Sequence, residues 1–251
     1  MAVERSLAVD FEVFETIDST QTYLLAQPAS QLPAGRTVLA GVQTSGKGRL
    51  DRTWSTDEGA ALLLSTVLRI DSTSRLLPIL PLVVGVAAVH TLAHIITDVK
   101  LKWPNDIVIS TDDDMFKLGG IVIAIHPDSG SDAVCVVGIG INLTMDAHNR
   151  PVENARALSD FTDQQIHYEA LAVTLLSEIN VLLTEQDIQK IESRYKELCC
   201  SLGQHVRVSL VDGSTFEGVA TGIAVDGSLE VDVNGVTRRF HSADAQHLRT
   251  I

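Results

Sequence analysis

The chain has 251 residues, with 19 Lys and Arg against 32 Asp and Glu, a formal charge of −13, and 45% apolar residues. That length allows one large or two small domains with a substantial core, and the composition is that of a soluble globular protein. The negative charge argues against nucleic acid as the main partner, because phosphate contacts need a basic face. Three cysteines, Cys135 and the adjacent Cys199 and Cys200, make neither a disulfide framework nor a metal-ligand spacing, which suits a reduced, cytoplasmic compartment.

The first ten residues carry only Leu7-Ala8-Val9 as an apolar run, too short for a signal-peptide core. Phe11 to Ile17 alternates apolar and acidic residues and predicts a half-buried strand ending at Asp18-Ser19-Thr20, which suits an N-cap for a helix over Gln21 to Ala26. After a Pro33–Gly35 turn, Thr37 to Val42 predicts a strand that delivers Gln43 and a glycine-basic segment. In that segment, positions 47–52 hold Lys47, Arg49 and Arg52, where composition alone gives about 0.5 basic residues. Gly46 and Gly48 let backbone N–H groups approach an anion, the arginines offer planar forks, and Trp54 offers an aromatic face. The glycines and charge predict a segment that is disordered until a ligand binds.

Ala60 to Ile70 predicts a strand buried on both faces. The apolar stretch that follows is broken by Pro78, Pro81 and Gly85 and falls short of the roughly 20 residues of a bilayer span. It predicts a buried helix over 79–97 and no membrane association. Val99 to Trp103 alternates, Pro104-Asn105-Asp106 breaks the pattern, and strands are predicted over Ile107–Ile109, Phe116–Ile125 and Ala133–Leu143. Thr162 and Gln165 have capping-box spacing ahead of a helical pattern through Ile166, Ala170, Val173 and Leu176. A second helix is predicted from about Asp187 to Leu198, stopped by Gly203. Beyond Gln204, Asp212-Gly213, Asp226-Gly227 and Asn234-Gly235 separate short alternating runs, each pair a hairpin signal, so about five strands forming a small barrel are predicted past a boundary near residue 201.

Lys117 precedes Leu118-Gly119-Gly120, and glycines within strands remove side chains where something else comes close. Gly138 and Gly140 repeat that pattern before Asn142. Asn105 and Asn142 are amides in apolar surroundings, able to donate and accept together. His90 and His94 share a helix face without a third ligand and do not make a zinc site. Read alone, each of these features is equally at home in a turn or strand edge.

Taken in order, Asp18-Ser19-Thr20, Gly46-Lys47-Gly48-Arg49, Lys102-Trp103-Pro104-Asn105-Asp106, Lys117-Leu118-Gly119-Gly120-Ile121 and Gly138-Ile139-Gly140-Ile141-Asn142 resemble the biotin protein ligase family, over essentially the whole chain. The resemblance implies an α+β fold: a mixed-sheet catalytic domain of the class II synthetase-like type over 1–200, then a small Src-homology-3-like β-barrel over 201–251. It implies activation of biotin by ATP and Mg2+ as biotinyl-5′-AMP, then transfer to a lysine of the biotin carboxyl carrier domain of an acyl-CoA carboxylase. By the same resemblance, Ser19, Thr20, Gln21, Gln43, Lys47, Gly48, Arg49 and Lys117 would bind biotin. Gly46, Arg49, Arg52, Trp54, Asn105, Asn142 and Arg249 would hold ATP or the adenylate, with Lys117 and Arg49 as catalytic cations. Asp106 would be either a magnesium ligand or a group that helps deprotonate the acceptor lysine. Relatives that act as repressors carry an N-terminal helix-turn-helix. Here about ten residues precede the first strand, and no DNA binding is expected; monomer and homodimer both stay open.

The sequence departs from the family pattern in places. Lys47 replaces the first arginine of the basic loop and Asp51 a glycine, and lysine lacks the bidentate fork, which predicts weaker retention of the adenylate. Gln21 stands where asparagine usually follows Ser-Thr, and Ala124 where glutamate is frequent. A lipoate or octanoate ligase on the same kind of fold, and a non-catalytic biotin or nucleotide sensor, are the competing readings.

Overall fold

The computed structural model describes residues 9–50, 52–111, 114–146, 152–185, 187–241 and 244–247. Its centre is a seven-stranded mixed sheet in the order β1-β2-β5-β9-β8-β7-β6. These strands are β1 (Asp10–Ile17), β2 (Arg36–Gln43), β5 (Ala61–Asp71), β6 (Val99–Lys102), β7 (Asp106–Ser110), β8 (Met115–Ile125) and β9 (Asp132–Asn142), while β3 (Gly46–Lys47) and β4 (Thr53–Trp54) form a separate small hairpin. Only β1 and β2 pair in parallel, so Ile17 lies beside Gln43 and both strands end on one edge of the sheet.

Period-2 alternation sorts the central strands into two faces. Leu62, Leu64, Leu68 and Ile70 of β5 and Cys135, Val137, Ile139 and Ile141 of β9 join the main core, while Val67, Val134 and Val136 join a second cluster with Leu24. The same second face carries Ser65, Gly138, Gly140 and Asn142, polar or small residues where a continuous core would carry apolar ones.

The main-core face is covered by α2 (Leu76–Leu92), α3 (Tyr168–Thr184) and α4 (Ile188–Leu198), and the second face by the short α1 (Thr20–Leu25). Helix α2 begins three residues before the expected 79 and ends five before 97: Pro78 sits in its first turn, where no N–H is required, and residues 93–96 form a turn on Leu92 O. The expected capping box does not form. The Thr162 hydroxyl accepts from Gln164 N in a local turn, and α3 starts at Tyr168 with His167 at its N-cap. Helix α4 ends at Leu198, ahead of Gly203, which takes φ +79° in the following turn.

The C-terminal strands β10 (His205–Ser209), β11 (Thr215–Ile223), β12 (Leu229–Val233), β13 (Val236–Phe240) and β14 (Asp244–His247) form a five-stranded antiparallel sheet of the Src-homology-3-like type, ordered β13-β12-β11-β10-β14. At the β12–β13 turn, Asn234 (φ 55°) and Gly235 (φ 80°) both take the left-handed region that a two-residue hairpin needs. Val206, Val208, Ala220 and Leu229 are continuous with the core under the large sheet. Trp103, 2% exposed, joins the two sheets: its Nε1 donates to Gly227 O at 3.1 Å and its backbone N to Ser201 Oγ at 3.0 Å.

Candidate active site

One cleft of about 600 Å³ opens on the second sheet face, and it gathers every residue singled out as a site candidate except Gly46, which supports it from behind, and Arg249, which lies outside the described residues, as does Asp51. One end is built where the parallel strands stop. Ser19 caps α1, its Oγ accepting from Thr22 N at 3.3 Å. The Thr20 N–H and hydroxyl both donate to Gln43 Oε1, at 2.8 and 3.0 Å, which fixes the amide and leaves Gln43 Nε2 with no hydrogen bond among the described residues. With the Thr20 proton directed at Gln43, Ser65 Oγ donates to Thr20 Oγ1 at 2.7 Å. Ser65 carries little signal of its own in the sequence, since it lies between Leu64 and Thr66 in a largely apolar strand; only its parity within β5 places it on the cleft face. Gln21 Nε2 donates to Val122 O at 3.0 Å and Val136 O at 3.2 Å, so this side chain closes the end wall beside Gly138.

The floor is the Gly120–Gly140 pair of β8 and β9. The space these glycines leave is taken by the protein's own Trp54. A Cβ on Gly140 would stand 2.7 Å from the indole, and one on Gly120 3.7 Å. The indole Nε1 is buried without a hydrogen-bond partner, an arrangement that leaves a donor to be satisfied by something else in the cleft. Trp54 is delivered by the hairpin β3–β4, whose stem is fixed by Thr44 N to Ile17 O and Ser45 N to Asp18 O, and whose turn closes through Gly48 N to Arg52 O at 2.7 Å. The segment expected to be disordered is therefore tethered at its base, with Lys47 and Arg52 exposed above the cleft.

The opposite end is cationic. Lys117 and Gly120 both line the cleft although three positions separate them, which regular alternation forbids. A bulge resolves this: Ile107 pairs with Gly119 and Val108 with Lys117, leaving Leu118 as an extra residue that re-aims the lysine. Lys117 Nζ meets Asp106 Oδ1 at 2.5 Å and lies 5.9 Å from the Trp54 ring centroid. Its backbone is clamped by Asn154 O and Arg156 N. Asn105 donates to Ile121 O at 2.9 Å and accepts from Arg49 Nη1 at 3.3 Å, while Asn142 Nδ2 donates to Arg156 O at 3.0 Å. Both amides thus hold protein groups around the cleft: Asn105 the arginine of the basic hairpin, and Asn142 the 154–156 segment. Among the described residues no group of three or more His, Cys, Asp or Glu could hold a metal ion.

The cleft pairs a polar-rimmed pocket at one end with cations and an aromatic plane at the other, the arrangement of a site that grips an acyl chain and an anion together. Residues 13–142 match the sequence model of the Biotin/lipoate A/B protein ligase family, and residues 201–248 that of the Biotin protein ligase C terminal domain. The chain belongs to the Biotin/lipoate A/B protein ligase family. It is 29% identical over 231 residues to the Bifunctional ligase/repressor BirA of Escherichia coli strain K12, covering 90% of this chain and 70% of that protein. It is 29% identical over 246 residues to the Biotin--[acetyl-CoA-carboxylase] ligase of Mycobacterium tuberculosis, covering 95% of this chain and 89% of that one. Among solved structures, the biotin protein ligase from Aquifex aeolicus in complex with biotin and ATP superposes with a TM-score of 0.79 at 24% identity, over 96% of this chain and 99% of that one.

Proposed function

We propose that this chain is a biotin protein ligase, an ATP-dependent, AMP-forming enzyme that adenylates biotin and then acylates a lysine of a biotin carboxyl carrier domain. The observation that carries the reading is the two-ended cleft: the fixed Gln43 amide with Thr20 and Ser65 at one end, and Lys117, Arg49 and Trp54 at the other. Joining a carboxylate to the α-phosphate brings two anions together, and preorganised cations in a site shielded from water remove that repulsion. In this reading Ser19, Thr20 and Gln43 hold the biotin head, and Gln21 shapes the wall behind it. Lys117 stabilises charge at the reacting carboxylate and α-phosphate. Arg49, steadied by Asn105, reaches the phosphate side together with Lys47, Gly48 and Arg52, and the adenylate lies against Trp54. Arg249 is proposed to reach ATP from the barrel.

The donor set fits Mg2+ bound the way the ion usually accompanies nucleotides, through substrate phosphates and one or two carboxylates, with Asp106 as the carboxylate. Held there, the ion would supply neutralisation of the triphosphate charge. Asp106 already pairs with Lys117, so it keeps that ammonium oriented while the nucleotide is absent.

The acyl-phosphate anhydride is water-sensitive, and the β3–β4 hairpin is proposed to order over it until the acceptor lysine arrives. Residues 1–200 are proposed as the catalytic unit and 201–251 as the accessory barrel. A cytoplasmic setting is proposed from the three free cysteines; among the described residues no helix is long and apolar enough to cross a membrane. DNA binding is not part of the reading, and the carrier domain is the macromolecular partner. The reading is tested by incubating the chain with biotin, Mg-ATP and a biotin carboxyl carrier domain and weighing the carrier by mass spectrometry. One added biotinyl group, absent when the carrier's acceptor lysine is replaced by arginine, is expected; an unmodified carrier would contradict it.

A further inference from the structure

The turn that carries Asn105 and Asp106 is held from outside the catalytic sheet. After α4, residues 199–201 run beside β6: Cys199 forms a parallel bridge with Leu101, and Cys200 N donates to Leu101 O at 2.9 Å. Ser201, fully buried, comes next and accepts from Trp103 N at 3.0 Å. That N–H is the last backbone donor before Asn105, because Pro104 has none. On its other side Ser201 Oγ lies 3.0 Å from Nε2 of His247, the final residue of β14.

Once Trp103 donates to it, the serine hydroxyl has its own proton to give. Burial, assisted by the Lys102 charge, lowers the His247 pKa to about 4, so the ring is neutral near pH 7 and its Nε2 can accept that proton. Cys199 also faces Ser201, and burial raises its thiol pKa, so it adds no charge there.

We propose that Ser201 is a positioning residue which, held by His247 of the last barrel strand, fixes Trp103 and through it the turn that aims Asn105 at Arg49 and Asp106 at Lys117. The geometry is a short relay. Lys102 and Asp106 are paired across the turn, so movement at Trp103 reaches Asp106 within one ladder step. Seating of the barrel thereby tunes the cationic end of the cleft while leaving the Thr20–Gln43–Ser65 end, built from α1, β2 and β5, untouched. The catalytic half of this inference rests on the ligase reading; the mechanical half does not.

The full chain and its variants Ser201→Ala, His247→Phe and His247→Gln are compared by two measurements: biotin-dependent exchange of pyrophosphate into ATP, and amide hydrogen exchange at residues 105–107. Glutamine can place its amide oxygen near the position of Nε2, where it accepts the same Ser201 proton, and serves as the conservative replacement. Expected for Ser201→Ala and His247→Phe is a kcat reduced about 10- to 100-fold by misplacement of reacting groups, with KM for biotin kept within about twofold. Amide exchange at 105–107 quickens in the same two variants as the turn loosens. His247→Gln should stay near the parent in both readings. Unchanged amide exchange at 105–107 in Ser201→Ala and His247→Phe would overturn the proposal. So would an unchanged kcat, a KM for biotin that rises in step with the fall in kcat, or a His247→Gln variant as impaired as His247→Phe. If the unsubstituted chain shows no biotin-dependent exchange, the ligase reading and the catalytic half fail, while the amide exchange still decides whether Ser201 holds the turn.

Discussion

Lys117 is the side chain on which most of the proposed chemistry converges, and its geometry separates a catalyst from a binder. Its ammonium lies at the cationic end of the cleft, paired with Asp106, and makes no hydrogen bond to Thr20, Gln43 or Ser65. Lys117→Ala should therefore lower the adenylation rate by about 100-fold or more, the usual cost of removing a preorganised charge from a developing anion. Biotin affinity by titration calorimetry should weaken far less, and full turnover in this variant would remove the role assigned to the lysine. Gly140 makes the second residue-scale prediction. A methyl group there would meet the Trp54 indole at 2.7 Å, and overpacking of this kind costs about 1–3 kcal/mol or forces the ring out. Gly140→Ala should shift tryptophan fluorescence and weaken nucleotide binding. Gly130→Ala, where nothing lies within 4 Å of the added carbon, should do neither.

At the scale of elements, the order of the longer strands was legible because each has its own run of apolar or alternating residues, set off by glycine, proline or Asx signals, whereas the two-residue strands β3 and β4 have no such run. Less legible were features that depend on partners distant in sequence. The parallel pairing of β1 with β2, which brings Ser19 and Thr20 to Gln43, has no local signature. Nor does the Leu118 bulge, although without it Lys117 would point into the core. The glycines at 120 and 140 signal a close approach, yet what approaches is Trp54 of the same chain, whose place in a glycine-basic segment points to an aromatic face for a ligand and not to packing on a glycine floor. The Thr162–Gln165 pair mimicked a helix start because capping spacing is short and common, and the hydroxyl is satisfied locally instead. The hairpin itself is held by few backbone bonds above its stem, so trypsin should cut after Lys47, Arg49 or Arg52 in the free protein. Biotin with ATP should slow those cuts about 10-fold, as ligand ordering closes locally open states; equal cleavage with and without ligands would argue against closure.

For the whole molecule, the central finding is that one apolar core runs from the large sheet into the C-terminal strands, with Trp103, Ser201 and His247 at the seam. The boundary near residue 201 follows readily from the change to short hairpins, but the seam was hidden because Trp103 read as part of a binding motif and its indole is spent on Gly227 O. The seam has a pH signature. The His247 pKa falls from 6.5 to about 4 because burial disfavours the charged ring, with Lys102 adding repulsion. The unfolded chain therefore binds a proton that the folded chain refuses between those values. The associated stability is complete above about pH 6.5 and is lost progressively towards pH 4. Asp71, Asp212 and Asp226 are shifted below the ordinary carboxylate value by hydrogen bonds from Thr73 or Ser residues, so their contribution is lost only at more acidic pH. Denaturant titrations should show a stability slope between pH 6.5 and 4 that flattens in His247→Gln, and an unaltered slope would place the titration elsewhere.

The central functional claim is that the cleft activates biotin. Exchange of labelled pyrophosphate into ATP, run in parallel with biotin, lipoate and octanoate, tests it without any carrier protein, because only an enzyme that forms the acyl-adenylate reversibly returns label to ATP. Exchange supported by biotin, and not by the two linear-chain acids, is the predicted result; exchange with lipoate or octanoate instead, or with none of the three, would contradict it.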